Sequence, residues 1–183
     1  MKKADIRQKM KICRAAEKFS KEKSQKIIEF LRNFDLFRRS KKILFFAGFQ
    51  NEPDLLPLAA ENLLEKSIFF PKILDAKRGK MAAAKIIKIS DLEKSDFGIL
   101  APKTFDFFPA EKLDLVLVPA LAVDFSGDRV GFGGGFYDRF LAKIRAKRVA
   151  VVFDFQKISE KIPAEKTDQK MDFVATEKGI FRF

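Results

Sequence analysis

Two runs, Ile43-Leu-Phe-Phe-Ala-Gly-Phe49 and Leu113-Asp-Leu-Val-Leu-Val-Pro119, are apolar almost without interruption and then stop. Each is about two turns long as a helix but a full strand's length when extended, and a strand apolar at consecutive positions needs cover on both faces. Pro119 has no N–H to carry a ladder further. Ser67-Ile-Phe-Phe-Pro71 reads as another short strand, and a helix from Pro53 to Lys66 links it to the first run. Strand, helix, strand is the unit from which parallel sheets are built. A helix over 136–146 and a strand over 148–155 continue the pattern. Residues 3–19 and 24–37 are expected as helices, because Ile27, Phe30, Leu31 and Phe34 recur at helical spacing and no Gly or Pro interrupts either stretch. Between 72 and 112 the pattern offers only a turn at Gly79, a strand over 81–89 and a loop over 98–103. The last stretch, 171–183, has strand character with a turn at Gly179. The expected fold class is α/β. Residues 1–183 would form a single three-layer domain with a mainly parallel central sheet, flanked by helices and preceded by two N-terminal basic helices.

Charge narrows the partners. The chain has 37 Lys+Arg against 25 Asp+Glu, a formal net charge of +12. From Lys2 to Lys42 there are 15 Lys+Arg and 5 Asp+Glu, so 15 − 5 = +10 of that excess lies in the N-terminal quarter. An anionic partner is expected, either nucleic acid or a small polyanion. The phenylalanines follow core periodicity and do not interleave with the basic residues, which favours the small polyanion. The chain has no histidine and one cysteine, Cys13. That excludes disulfides within the chain, zinc sites of Cys or His, and any His base. Catalysis would have to run on Asp, Glu, Lys, Arg, Tyr and backbone amides. No apolar run approaches the roughly 18 to 20 residues of a membrane span, and no signal core follows the N-terminus, so a cytoplasmic protein without membrane contact is expected.

Five of the nine glycines lie between Gly127 and Gly135, in Ser126-Gly-Asp-Arg-Val-Gly-Phe-Gly-Gly-Gly-Phe-Tyr-Asp138. Glycines between a strand and a helix let backbone amides approach phosphate oxygens, and Arg129 would add a fork of donors. Two common nucleotide loops are absent. Counting G-x-G-x-x-G from Gly131 puts Phe136 at the sixth position, and no glycine here precedes Lys and then Ser or Thr.

The segment Val118-Pro-Ala-Leu-Ala-Val-Asp-Phe-Ser-Gly-Asp-Arg-Val-Gly-Phe-Gly-Gly-Gly-Phe-Tyr-Asp-Arg-Phe-Leu141 resembles the signature of the 5-formyltetrahydrofolate cyclo-ligase family. That signature reads, in outline, V-P-G-x-A-F-D, a turn, then R-L-G-Y-G-G-G-Y-Y-D-R-F-L. Lys3 and Arg7, Glu52 after the first strand, Gly98-Ile-Leu-Ala-Pro102 and Ile162 to Asp172 extend the resemblance along the chain. Phe132 and Phe136 stand where Tyr is usual, Ala120 for Gly, Ala101 for Glu and Thr167 for His. A monomer is expected, and the resemblance implies MgATP-driven conversion of 5-formyltetrahydrofolate to 5,10-methenyltetrahydrofolate. It assigns ATP to Lys3, Arg7, Arg129, Gly131, Gly133, Gly134, Gly135, Phe136 and Tyr137, and magnesium to Asp138 and Asp168. Folate falls to Ala47, Glu52, Phe132 and Phe136, with Arg129 and Asp138 as catalytic residues. Taken alone, Lys3 and Arg7 read as a solvated helix face, Asp168 as surface, and Asp138 equally as a residue complementing a helix start. On the metal reading, Asp138→Asn is expected to leave thermal stability almost unchanged.

Overall fold

The computed structural model describes all residues, Met1–Phe183. The elements in order are α1 (Lys3–Ala15), α2 (Ser20–Asn33), α3 (Asp35–Arg39), β1 (Lys42–Leu44), α4 (Leu56–Asn62), β2 (Ser67–Asp75) and β3 (Lys80–Ile86). They continue with β4 (Leu92–Lys94), β5 (Leu100–Pro102), β6 (Phe107–Phe108), β7 (Leu115–Pro119), β8 (Ala122–Val123), β9 (Arg129–Val130), α5 (Phe136–Leu141), β10 (Lys147–Val151), β11 (Phe173–Thr176) and β12 (Gly179–Arg182).

Eight strands form the main sheet in the order β12-β11-β10-β7-β1-β2-β3-β6. The five central strands, β11 to β2, run parallel, and β12 and β3 flank them antiparallel. The apolar runs are doubly covered, as their composition requires. Ile43, Ile68, Phe70, Leu115, Leu117, Val149 and Val151 face a core shared with α2, α3 and α4. Leu44, Phe69, Val116, Val118 and Ala150 face the opposite core, under α5. This is the expected three-layer α/β arrangement.

The two N-terminal helices do more than precede it. Ile27, Ile28 and Leu31 of α2 belong to the first core. Ile6 and Met10 of α1 make a third cluster with Leu121, Ala122 and Val130 on the small β8–β9 hairpin.

Element boundaries differ from the expected ones where a distant side chain sets them. The first helix stops at Ala15, and the Asn51 amide donates to the carbonyls of Arg14 and Glu17 just there. The second begins four residues early and breaks at Phe34, whose backbone is extended (φ −77°, ψ 120°) and whose ring packs edge-on against Phe173. The helix expected from Pro53 starts at Leu56, because the Asp54 carboxylate takes the Leu56 N–H at 3.0 Å in a turn of its own. The first strand ends at Leu44, with one further bond from the Phe45 N–H to the Phe69 carbonyl, and Phe45, Phe46 and Ala47 stay buried. The helix expected over 136–146 ends at Leu141. β2 continues past Pro71 to Asp75, because there it pairs only with β3, beyond the end of β1. The proline's missing N–H therefore interrupts no ladder bond to β1. In the C-terminal hairpin the turn is Glu177–Lys178, and Gly179 opens β12.

Candidate active site

From β1 the chain turns to one side of the sheet, into β2, and from β7 to the other, into β10. The carboxyl ends of these neighbouring strands bound the crevice where open α/β sheets collect ligands. β1 leads into the turn Phe49–Glu52, and β7 leads through β8 and β9 into the glycine loop. Ile6 and Met10 are buried against the hairpin, Arg14 continues their stripe along α1, and Lys3 and Arg7 lie beside it, so the three cations face both loops.

The glycine loop is a row of open donors. No backbone N–H from Gly131 to Asp138 donates within the protein. Gly133 has φ +108°, which side chains rarely adopt, and the Arg7 guanidinium lies just outside the space a Cβ would take. Arg7 Nε donates to the Gly131 carbonyl at 2.9 Å, so one guanidinium both braces the loop and lies against it.

Beneath the loop lies Arg129, only 7 % exposed. Its Nη2 donates to Asp138 Oδ1 at 2.9 Å, while its buried Nε has no acceptor. Burial holds this guanidinium below its ordinary pKa, with Asp138, Tyr137 and Asp168 opposing that shift. Asp138 Oδ1 also accepts the Gln169 N–H at 3.1 Å, which ties the loop carrying Asp168 to the start of α5. Asp168 Oδ2 accepts from the Lys3 ammonium and from the Glu165 N–H. Burial works against both charges, but these bonds outweigh it, so Asp168 is held below its usual range and Lys3 above. Asp138 Oδ2 and Asp168 Oδ1 accept nothing. Two free carboxylate oxygens suit a hard cation that draws its remaining ligands from phosphate and water, and no group of three acids forms an all-protein cage.

The geometry changes the expectation for Asp138→Asn. Asp138 is the only carboxylate bonded to the buried Arg129 guanidinium. Removing its charge should cost about 2 kcal/mol of stability, scaled down from a fully buried pair because Asp138 is partly open to water. A melting curve that matches the parent's would show that the bond to Arg129 carries no stability.

A second group faces the loop from the β1 side. The Glu52 carboxylate is buried, and accepts from Arg14 Nη1 at 3.1 Å and from the Phe49 N–H at 3.0 Å. The turn beneath it holds Gln50 and Asn51 at positive φ (48° and 62°), an unusual conformation for side-chain-bearing residues. The Arg14 guanidinium lies over the Phe132 ring, 5.1 Å from its centre, and the Phe49 ring is 6.4 Å from the same centre.

Lys3, Arg7, Arg129, the glycines 131–135, Asp138 and Asp168 thus surround one loop, and Glu52 and Phe132 are joined through Arg14. Two assigned residues make no hydrogen bond to this polar network. Ala47 is buried in the core with Phe45 and Phe46. Tyr137 is partly buried, with the Arg129 guanidinium 5.8 Å from its ring centre and its buried hydroxyl unpaired. Burial raises the Tyr137 pKa, so the phenol stays neutral. Phe136 is half-buried, with its ring lying where a Cβ on Gly134 would be. Sequence reasoning missed Arg14, although its spacing from Lys3 and Arg7 puts all three on one helical face.

Fold and loop together define an α/β protein whose glycine loop turns unpaired amides toward the cations of its first helix. The 5-formyltetrahydrofolate cyclo-ligase family model matches residues 1–177, and the chain belongs to that family of ligases. It is 30% identical over 148 residues to the 5-formyltetrahydrofolate cyclo-ligase of Escherichia coli (strain K12), covering 77% of this chain and 80% of that one. A protein of the same name from Mycolicibacterium smegmatis is 47% identical over 92 residues, which span 48% of this chain and 46% of the relative. The NMR structure of Aquifex aeolicus 5,10-methenyltetrahydrofolate synthetase superposes with a TM-score of 0.87 at 31% identity, over 100% of this chain and 93% of that one. No helix is long and apolar enough to cross a membrane.

Proposed function

We propose that this chain converts 5-formyltetrahydrofolate to 5,10-methenyltetrahydrofolate with MgATP, releasing ADP and phosphate, as a monomeric cytoplasmic enzyme. One observation carries the ATP half of the proposal: the uninterrupted row of unpaired loop amides between the Arg7 and Arg129 guanidiniums. Such a row fits a polyphosphate, whose oxygens accept several bonds at once.

A formamide oxygen leaves poorly, and phosphorylation converts it into a good leaving group. The formyl oxygen attacks the γ-phosphorus, the bond from that phosphorus to the bridging oxygen breaks, and ADP departs. N10 then attacks the formyl carbon and gives up its proton, and the carbon–oxygen bond breaks to release phosphate. Phosphoryl transfer asks for position and charge neutralisation, which amides, Arg7, Arg129 and Lys3 supply without a histidine. Asp138 and Asp168 would hold the magnesium, which when bound neutralises charge on the β- and γ-phosphates. Glu52 would accept from the N–H edge of the pterin, with Phe132 offering a ring face beside it.

The sequence of bonds makes a labelling prediction. With the formyl oxygen replaced by ¹⁸O, the released phosphate should carry one heavy oxygen, read as a shift of its ³¹P resonance. Unlabelled phosphate would refute phosphorylation of that oxygen.

A further inference from the structure

We propose that Arg14 is a positioning residue for the folate half of the site, binding the Glu52 carboxylate on one side and bracing the Phe132 ring of the glycine loop on the other. The inference rests on the assignment of Glu52 to folate. Both side chains of the pair are almost sealed from water, 1% exposed for Arg14 and 5% for Glu52, and their contact is 3.1 Å. A buried ion pair is a poor way to gain stability, since desolvation offsets most of the attraction and apolar residues of similar volume do as well. Its retention inside a crevice calls for another use.

The surroundings of Arg14 supply one. Its carbonyl accepts from Asn51, which lies in the same positive-φ turn that presents Glu52. Its guanidinium covers Phe132, so one residue joins α1, the Glu52 turn and the glycine loop. Folate and ATP must meet across these two loops, and the spacing between them is fixed through this side chain. The groups facing Glu52 are Arg14 from α1, the Phe49 N–H of its own turn, and Tyr137 from α5, which interacts with it electrostatically. Arg14 is the only cation bonded to it. Burial pushes the Glu52 carboxyl up to about 7, with Arg14 and the Phe49 N–H restraining the rise. Loss of Arg14 would therefore leave the acid protonated to higher pH.

The test uses Arg14→Met and Arg14→Lys, with kcat/KM for 5-formyltetrahydrofolate measured from pH 5.5 to 9 and MgATP affinity measured alongside. Arg14→Met should lower kcat/KM at pH 7 by about 100-fold, the cost of a lost charge-assisted bond and a protonated partner. The acid limb of its profile should move to higher pH, and MgATP affinity should stay within about threefold. Arg14→Lys, which keeps the charge without the planar fork, should return the acid limb close to the parent's and recover part of the rate. If Arg14→Met does not fold, the Lys variant decides: a parental acid limb with reduced kcat/KM supports the role, and a displaced limb contradicts it. A fall in rate equal at all pH values, or two variants that behave alike, overturns the proposal. If Glu52→Gln alone leaves folate kinetics unchanged, the assignment of Glu52 fails first and takes the role of Arg14 with it.

Discussion

Arg129→Ala should weaken MgATP binding by about 100-fold or more while the protein still binds 5-formyltetrahydrofolate. Arg129 is buried beneath the glycine loop, and its Nε is a donor with no acceptor in the protein. A bond from a buried guanidinium to a phosphate oxygen contributes about 1.5 to 3 kcal/mol, and about 1.4 kcal/mol is a factor of ten. Losing the charge and one or two such bonds accounts for the expected factor. Arg129→Lys should recover only part of it, since an ammonium keeps the charge but cannot reach Asp138 and a phosphate with a fixed fork. Titration calorimetry with MgATP checks both variants. Parental affinity in Arg129→Ala would reduce the guanidinium to a partner for Asp138.

Glu52→Gln should act on the other substrate. The amide keeps the shape of the carboxylate but presents an N–H₂ where the pterin edge also offers donors, so kcat/KM for the folate should fall by about 100-fold. MgATP affinity should be unaffected. Stability gives an independent signature. Burial raises the Glu52 pKa to about 7 in the folded chain, against the restraint of Arg14 and the Phe49 N–H, from an ordinary value of 4.5. The folded state therefore binds this proton more tightly than the unfolded state does. The resulting stabilisation is complete below pH 4.5 and is lost as pH rises through about 7. A Gln at this position cannot titrate, so the melting temperature of the parent should gain on that of Glu52→Gln as pH is lowered from 8 to 5. A difference that does not change with pH would mean that Glu52 titrates alike in the folded and unfolded chains.

The central strands were legible because burial on both faces leaves an uninterrupted apolar run, as in Leu115–Val118. Helix ends were not, because Asn51 closes α1 from a distant turn and Asp54 delays α4 with a local bond of its own. The β2–β3 hairpin was obscured by Pro71, whose position beyond the end of β1 follows from the sheet and not from the segment. At the site, the glycine loop announced itself by composition alone. The convergence of Lys3, Arg7 and Asp168 on that loop is a tertiary fact, since 165 positions separate the paired Lys3 and Asp168. Arg14 was readable as a lone cation on the apolar stripe of Ile6 and Met10, and its partner was not, because the Glu52 turn depends on two side-chain-bearing residues at positive φ.

The most direct test is to mix the purified protein with MgATP and 5-formyltetrahydrofolate and follow the near-ultraviolet absorbance of the methenyl product together with ADP. Methenyltetrahydrofolate and ADP should appear in equal amounts, and neither should form when ATP is omitted. MgATP binding without methenyl product, from either the mono- or the polyglutamyl substrate, would contradict this and leave only the nucleotide site.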